Sequence, residues 1–471
     1  DYVLIEKLAN QSRMPICYGG GVTTVEQAQK IFSLGIEKIA LSSAVIHNPL
    51  LISEISERVG SQSVIVVLDV KKKIFGGYEM YTHNGKQSTG IDPVSFAIKA
   101  QELGLPIFSY PEYIYEATKD KIRVVIGGSH GKTTITSMIL HVLNFHKIEN
   151  DYMVGAQLEG FEVMVKLTTS AKIAVLEGDE YLSSPIDRRP KFHLYNPNIA
   201  LLTGIAWDHI NVFPTFENYC DQFEIFVNKI EEQGSLIYFS GDKEIEKIVS
   251  KSDRKIDFVS YSTPEYSIYN GVTTLKDGSQ EVELEIFGEH NLQNLNGARL
   301  VCEKIGVSSA QFYKAIQSFG GASKRLETVS KNSKTHILKD FAHSPSKLKA
   351  TTKAVKEQYP ERELIACIEL HTFSSLNQEF LAQYKNTMLD ADRAFVYFSP
   401  KAIEHKKLAM LSENDVKTAF FSENVTVFTN SDELMKTVKS INFENKNLLL
   451  MSSGNFDGVD FEALGSELLS K

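Results

Sequence analysis

The chain has 471 residues, 42% of them hydrophobic, and a formal net charge of −9. That length predicts two to four domains with sizeable cores, and the acidic balance excludes a general nucleic-acid binder. No apolar run reaches the roughly 18–20 residues that a membrane-spanning helix needs. The four cysteines, Cys17, Cys220, Cys302 and Cys367, are too scattered for a zinc site or a disulfide framework, which fits a reducing cytoplasm.

Residues 1–104 alternate strand and helix. Pro15 to Gly21 reads as a strand ending in glycines, and Thr24 to Leu34 as a helix. Lys38 to Ser43 reads as a second strand, followed by a helix through Leu51 and Ile55. Val64 to Asp69 is apolar at successive positions, which predicts a third strand in a parallel sheet covered on both faces. Gly76-Gly77 with Tyr78 to Asn84 predicts a hairpin-like insertion, and Pro93 to Leu103 a helix. Three successive βα units predict a barrel or a doubly wound sheet.

Tyr18-Gly19-Gly20-Gly21-Val22, Ala40-Leu41-Ser42-Ser43-Ala44 with Asn48-Pro49, Val67-Leu68-Asp69-Val70-Lys71 and Thr89-Gly90 resemble the cyclase subunit of imidazole glycerol phosphate synthase, a (βα)₈-barrel family. The resemblance covers about three βα units and implies a partial barrel over 1–104. It also implies that Gly21, Ser42 and Ser43 touch a substrate phosphate and that Asp69 is one of two catalytic aspartates. The second aspartate belongs to a strand this segment lacks. A vestigial fragment is therefore expected rather than a cyclase-type lyase. Strands of an open barrel leave unpaired edges, so self-association through 1–104, as a non-catalytic assembly module, is the other expected role.

Near residues 95–110 the resemblance to the barrel family stops, which predicts two unrelated coding sequences joined there, as a gene fusion or an assembly error, and 105–120 follows as a linker. Val124-Val125-Ile126 then leads into Gly127-Gly128-Ser129-His130-Gly131-Lys132-Thr133-Thr134 and an apolar-periodic segment, Ile135 to Leu143. That is strand, phosphate loop and helix. Glycines let backbone N–H groups turn around a polyphosphate, Lys132 can reach its terminal phosphates, and the Thr133 hydroxyl can ligate Mg²⁺. With Ile at 126, the loop is one residue shorter than the common form. Ile173 to Tyr181 is a strand running into Glu177-Gly178-Asp179-Glu180, carboxylates suited to Mg²⁺. Ile199 to Ile205, a buried strand, delivers Trp207-Asp208-His209, and His209 is a candidate metal ligand.

Glu217 to Ile230 reads as an amphipathic packing helix; Leu236 to Ser240, Ile256 to Tyr261 and Val282 to Phe287 read as strands. Gly288 to Ala298 opens a helix running to Ile305, where His290, Asn291 and Asn294 can bond a purine and its phosphates or simply cap the helix. A last domain begins at 323 with Arg325, followed by Asp340 and His343. Ser346 to Gln358, Leu364 to Leu370, Leu376 to Met388, Arg393 to Phe398 and Leu448 to Ser452 predict alternating helices and strands of a parallel α/β domain. Glu369 to Ser375 and Ser452 to Gly458 end two of its strands as candidate amino-acid recognition loops.

From about 105 to 471 these motifs together resemble the Mur ligase family. The resemblance implies an α/β fold: a phosphate-loop central domain with a parallel-rich sheet over 121–322 and a Rossmann-like C-terminal domain over 323–471. Residues 105–120 would be a remnant of a UDP-sugar-binding domain. It implies ATP and Mg²⁺, with Lys132, Glu177 and His209 catalytic and Thr133, Glu177 and His209 on the metal. Gly128, Ser129, His130, Gly131, Lys132, Thr133, Thr134, His290, Asn291, Asn294, Arg325, Asp340 and His343 would hold ATP. The implied activity is a cytoplasmic ligase of peptidoglycan synthesis or recycling. Glu177 to Tyr181, Asp187 to Phe192 and Ser453 to Gly458 resemble most the branch that joins a murein tripeptide to UDP-N-acetylmuramate; the L-alanine-adding branch is the alternative. Several Mur ligases carry a carbamylated lysine on the helix matched by 217–230, and no lysine lies between Tyr219 and Phe226. With a barrel fragment where most of the UDP-sugar domain would stand, ATP and Mg²⁺ binding is expected ahead of ligation.

Overall fold

Short apolar strands followed by amphipathic helices build the first of two units into which the chain divides, Asp1–Ser109 and Tyr110–Lys471. The computed structural model describes residues 2–11, 17–36, 38–60, 63–73, 76–83, 85–102, 108–156, 161, 163–183, 187–207, 212–278, 280–322, 326–406 and 408–470. Among them, no helix is long and apolar enough to cross a membrane.

In the first unit β1 (Cys17–Gly19), β2 (Lys38–Leu41) and β3 (Val64–Val66) pair in parallel in that order. Helices α1 (Tyr2–Gln11), α2 (Val25–Ser33), α3 (Ser43–His47), α4 (Leu50–Val59) and α5 (Pro93–Glu102) accompany them. The Thr24 hydroxyl caps α2 by accepting from Gln27 N at 3.2 Å. Ala28 and Ile31 of α2 and Leu51, Ile52 and Ile55 of α4 meet Ile39 and Leu41 in one core. Parallel strands paired in sequence order, with helices between them, are repeated βα units.

The expected strand over 64–69 ends early. Val67 N still bonds Leu41 O at 2.8 Å, but Val67 is exposed, and Asp69 opens a different sheet. There β4 (Asp69–Lys72), β5 (Tyr78–Thr82) and β6 (Gln87–Ser88) form an antiparallel hairpin set. A half-exposed hairpin, not a doubly covered strand, therefore carries Asp69.

The second unit opens with α6 (Tyr110–Thr118), which occupies part of the expected linker; Ile114 enters the core beside Phe192 and Tyr195. A seven-stranded sheet follows. Its strands are β7 (Ile122–Gly127), β8 (Asp151–Met153), β9 (Val165–Lys166), β10 (Ile173–Glu177), β11 (Ile199–Leu202), β12 (Ser235–Phe239) and β13 (Asp257–Tyr261). Their order is β13-β12-β11-β7-β10-β8-β9, parallel except for β9. Every residue of β10 and β11 is buried, because helices cover both faces. Helix α7 (Lys132–Phe145) leaves β7 through the glycine loop, α8 (Phe216–Asn228) lies against the sheet, and α9 (Lys243–Lys251) follows β12.

A small antiparallel sheet, β14 (Tyr266–Tyr269), β15 (Val272–Asp277) and β16 (Gln280–Leu284), precedes α10 (Glu289–Lys304) and α11 (Ser309–Ile316). The last sheet holds β17 (Glu327–Lys331), β18 (His336–Asp340), β19 (Glu363–Leu370), β20 (Arg393–Phe398), β21 (Val425–Phe428) and β22 (Lys446–Met451), in the order β17-β18-β22-β19-β20-β21. Only β17 runs antiparallel in it. Helix α12 (Pro345–Gln358) follows β18. The expected helix over 376–388 shrinks to α13 (Gln378–Leu381) and one 3₁₀ turn, Ala382–Tyr384. Buried Tyr384 is anchored there by its hydroxyl on His343 O.

Candidate functional site

The turn between β7 and α7 is shaped by what surrounds its glycines. Gly128 has φ +121, and a Cβ there would lie 2.1 Å from Thr203 Oγ1; at Gly131, φ +81, it would lie 2.5 Å from Asn294 Oδ1. The loop thus winds tightly against the end of β11 and the start of α10. Ser129 N bonds Gly204 O at 3.0 Å, and the Thr203 hydroxyl bonds His130 O. The first N–H inside the α7 ladder is that of Ile135, on Gly131 O at 2.9 Å. The N–H groups of Lys132, Thr133 and Thr134 precede it, as at any helix start.

A cavity of about 530 Å³ opens over this turn. Ser129 to Thr134, Glu177 and Thr203 line one wall; Glu289, His290, Asn291, Gln293 and Asn294 of α10 line another. The C-terminal sheet contributes Leu326, Asp340, Ala342 and the inner face of α12 from Ser346 to Glu357, including Lys347, Lys349 and Lys353. Lys132 Nζ donates to Gly128 O at 2.6 Å and to Glu180 Oε2 at 2.7 Å. Burial opposes the Lys132 ammonium, but the Glu180 carboxylate, with Glu177 and Asp179 beyond it, holds its pKa above the ordinary lysine value. Burial likewise opposes the Asp179 carboxylate, yet Lys191, 2.6 Å away, holds it below the usual range. Burial, then the charges of Lys347 and Lys132, lower His130 to about 4, so its ring is neutral at pH 7; among the described residues its buried Nδ1 has no hydrogen-bond partner. Burial also lowers His290, against the pull of Asp340 and Glu289.

Thr133 Oγ1 donates to Glu177 Oε1 at 2.8 Å, and Glu177 Oε2 accepts from Gly155 N at 2.8 Å. This pair of oxygens beside a phosphate turn fits Mg²⁺, which takes one or two protein oxygens and completes its shell with phosphates and water. Among the described residues no group of three or more His, Cys, Asp and Glu is placed to hold a metal. Asp340 Oδ1 accepts from Leu326 N at 3.2 Å and Oδ2 from Thr351 Oγ1 at 2.6 Å. Asn291 Nδ2 donates one of its two N–H groups to Phe287 O at 2.9 Å, just before the start of α10.

Family models match three stretches: "Histidine biosynthesis protein" over 1–110, "Mur ligase middle domain" over 126–302, and "Mur ligase, glutamate ligase domain" over 324–454. The UDP-N-acetylmuramate–L-alanine ligase of Caldicellulosiruptor bescii is 30% identical over 334 residues, 67% of this chain and 70% of that protein. This chain belongs to the Mur ligase family. The MurF ligase of Thermotoga maritima, solved in complex with ADP, shares the fold, with a TM-score of 0.60 at 14% identity over 98% of this chain and 95% of that one. The putative imidazole glycerol phosphate synthase subunit hisF3 of Vibrio vulnificus is 52% identical over 105 residues, 22% of this chain and only 40% of that protein.

Of the residues singled out in the sequence of this Mur ligase, Ser129 to Thr134, Glu177, His290, Asn291, Asn294 and Asp340 meet around one cavity. Gly128 lies beneath it, its carbonyl on Lys132. His343 does not line it: its ring turns to Phe341 O at 2.8 Å. Asp208, His209 and Arg325 lie outside the described residues, as does the junction at 103–107. In the first unit Gly21 (φ +68) and Ser42 follow the carboxyl ends of adjacent strands β1 and β2, Ser43 begins α3, and Asp69 is on the separate hairpin sheet.

The two candidate recognition loops meet at neighbouring strand ends. Glu369 of β19 accepts from Phe456 N at 2.9 Å and from the Ser452 hydroxyl, with His371 Nδ1 at 3.4 Å from its other oxygen. Sequence reasoning missed Thr203, Glu289, Lys347 and Lys349. Thr203 was discoverable as the polar residue ending an all-apolar strand; the lysines of α12 look like ordinary surface charges until the helix is seen on the cavity.

Proposed function

We propose that this chain is a cytoplasmic ATP-dependent amide ligase of peptidoglycan, joining a murein tripeptide to UDP-N-acetylmuramate. The observation that carries the reading is the cavity in which Lys132 and the α7 start face Asp340 and α12. A carboxylate is too poor an electrophile for an amine. In the proposed reaction its oxygen attacks the γ-phosphorus of ATP, the bond to the bridging oxygen breaks, and ADP leaves. The amine then attacks the carbonyl carbon of the acyl phosphate, loses a proton, and phosphate departs with the C–O electron pair. Lys132 and the first N–H groups of α7 would neutralise charge that develops on the transferring group. Thr133 and Glu177 would hold Mg²⁺, which supplies charge neutralisation on the phosphates when bound. Neutral His130 can donate or accept at a phosphate without adding charge.

The tripeptide reading rests on the resemblance of 177–181, 187–192 and 453–458 to that branch. L-alanine as acceptor is the second reading, favoured by the name of the Caldicellulosiruptor relative. Phosphate release with UDP-N-acetylmuramate and either tripeptide or L-alanine separates the two. For the first unit we propose self-association: among the described residues β1 and β3 each pair on one side only. Light scattering that finds a monomer at micromolar concentration would refute it.

A further inference from the structure

Helix α8 reaches the site by its first turns, capped by Thr215, whose hydroxyl accepts from Asn218 N at 3.1 Å. One turn in sits Tyr219, fully buried. Its hydroxyl is 2.9 Å from Ser129 Oγ in the phosphate loop and donates to Glu180 Oε1 at 3.2 Å. The other oxygen of Glu180 holds Lys132 at 2.7 Å, and Ser129 Oγ accepts from Ala206 N at 2.8 Å. Each hydroxyl has one proton to give. Tyr219 spends its proton on the carboxylate, so Ser129 donates to Tyr219 and takes the Ala206 N–H on its lone pair. The donors then run in one direction, from Ala206 N–H through Ser129 and Tyr219 to Glu180, and each bond polarises the next.

We infer that Tyr219 is a positioning residue for Lys132. The hydroxyl chain draws off part of the Glu180 charge. Lys132 is then held over the cavity, yet loosely enough to exchange Glu180 for a phosphate. Without the hydroxyl, Glu180, 1% exposed, keeps the ammonium as its compensating charge and competes with the nucleotide. The inference rests on the nucleotide reading of the cavity.

Calorimetric titration of the full chain with ADP and Mg²⁺ tests it, on the wild type, Tyr219→Phe, Glu180→Gln and the double variant. Tyr219→Phe is expected to weaken ADP binding roughly tenfold with its near-ultraviolet dichroism preserved. Adding Glu180→Gln should recover most of that loss, because a neutral amide does not compete for Lys132. A purely structural tyrosine would give additive losses. Tight wild-type binding with an unchanged Tyr219→Phe, or an additive cycle, overturns the inference and leaves the nucleotide site standing. Absence of ADP binding by the wild type overturns both.

Discussion

Lys132→Ala removes the charge expected to meet the nucleotide, and its first consequence is on stability. Lys132 and Glu180 are 14% and 1% exposed as side chains, and they lie 2.7 Å apart. Removing one partner of a buried pair costs about 3–5 kcal/mol. The Lys132 end faces a cavity that admits water, and Tyr219 still donates to Glu180, which favours the lower figure, about 3 kcal/mol. The melting temperature should fall by roughly 6–9 °C. Lys132→Ala with Glu180→Gln should regain most of the melting temperature and still fail to bind ADP. Differential scanning calorimetry and an ADP titration complete the assay. A Lys132→Ala variant that melts with the wild type and still binds ADP would refute the argument.

Gly128→Ala should reduce ADP affinity by at least an order of magnitude and lower stability by about 2 kcal/mol, measured by titration and by denaturant melts, since a Cβ would lie 2.1 Å from Thr203 Oγ1 at positive φ. Glu177→Gln should retain the fold and raise the Mg²⁺ concentration needed for half-maximal turnover several-fold, because the amide keeps the Thr133 and Gly155 contacts but loses the charge. His193, buried against Phe192 and bonded to Gln222 O at 2.7 Å, is lowered to about 4, chiefly by burial. A depressed folded pKa means stability present above the unfolded value and lost as pH falls toward 4. The loss attributable to His193 should approach about 3 kcal/mol, and His193→Gln should flatten that limb of a pH-dependent urea melt.

Much of the site was legible because phosphate chemistry constrains neighbouring residues. The run from Gly127 to Thr134 fixes strand, turn and helix locally, and the acidic run at 177–180 sits where a parallel strand must end. The Glu180–Tyr219–Ser129 chain was not legible: it joins residues 39 and 90 positions apart, and a tyrosine on an amphipathic helix carries no periodic signal beyond packing. His343 stands outside the cavity lining for a related reason. Spacing put it near Asp340, but its ring found a closer partner in Phe341 O. In the first unit the apolar run at 64–69 matched the period of a buried strand, while the hairpin pairing of Asp69 with Tyr81 won the second half of it. The helix over 376–388 was overextended because Tyr384 is tied to His343 O, which pins the chain one turn past α13.

The central claim is amide ligation driven by ATP. The direct measurement is phosphate release by the full chain with ATP and Mg²⁺, with UDP-N-acetylmuramate and murein tripeptide supplied singly and together. Release that requires both, with a UDP-linked product carrying the tripeptide in the mass spectrum, is the predicted result. ATP binding with no release under any combination, L-alanine included, would contradict it.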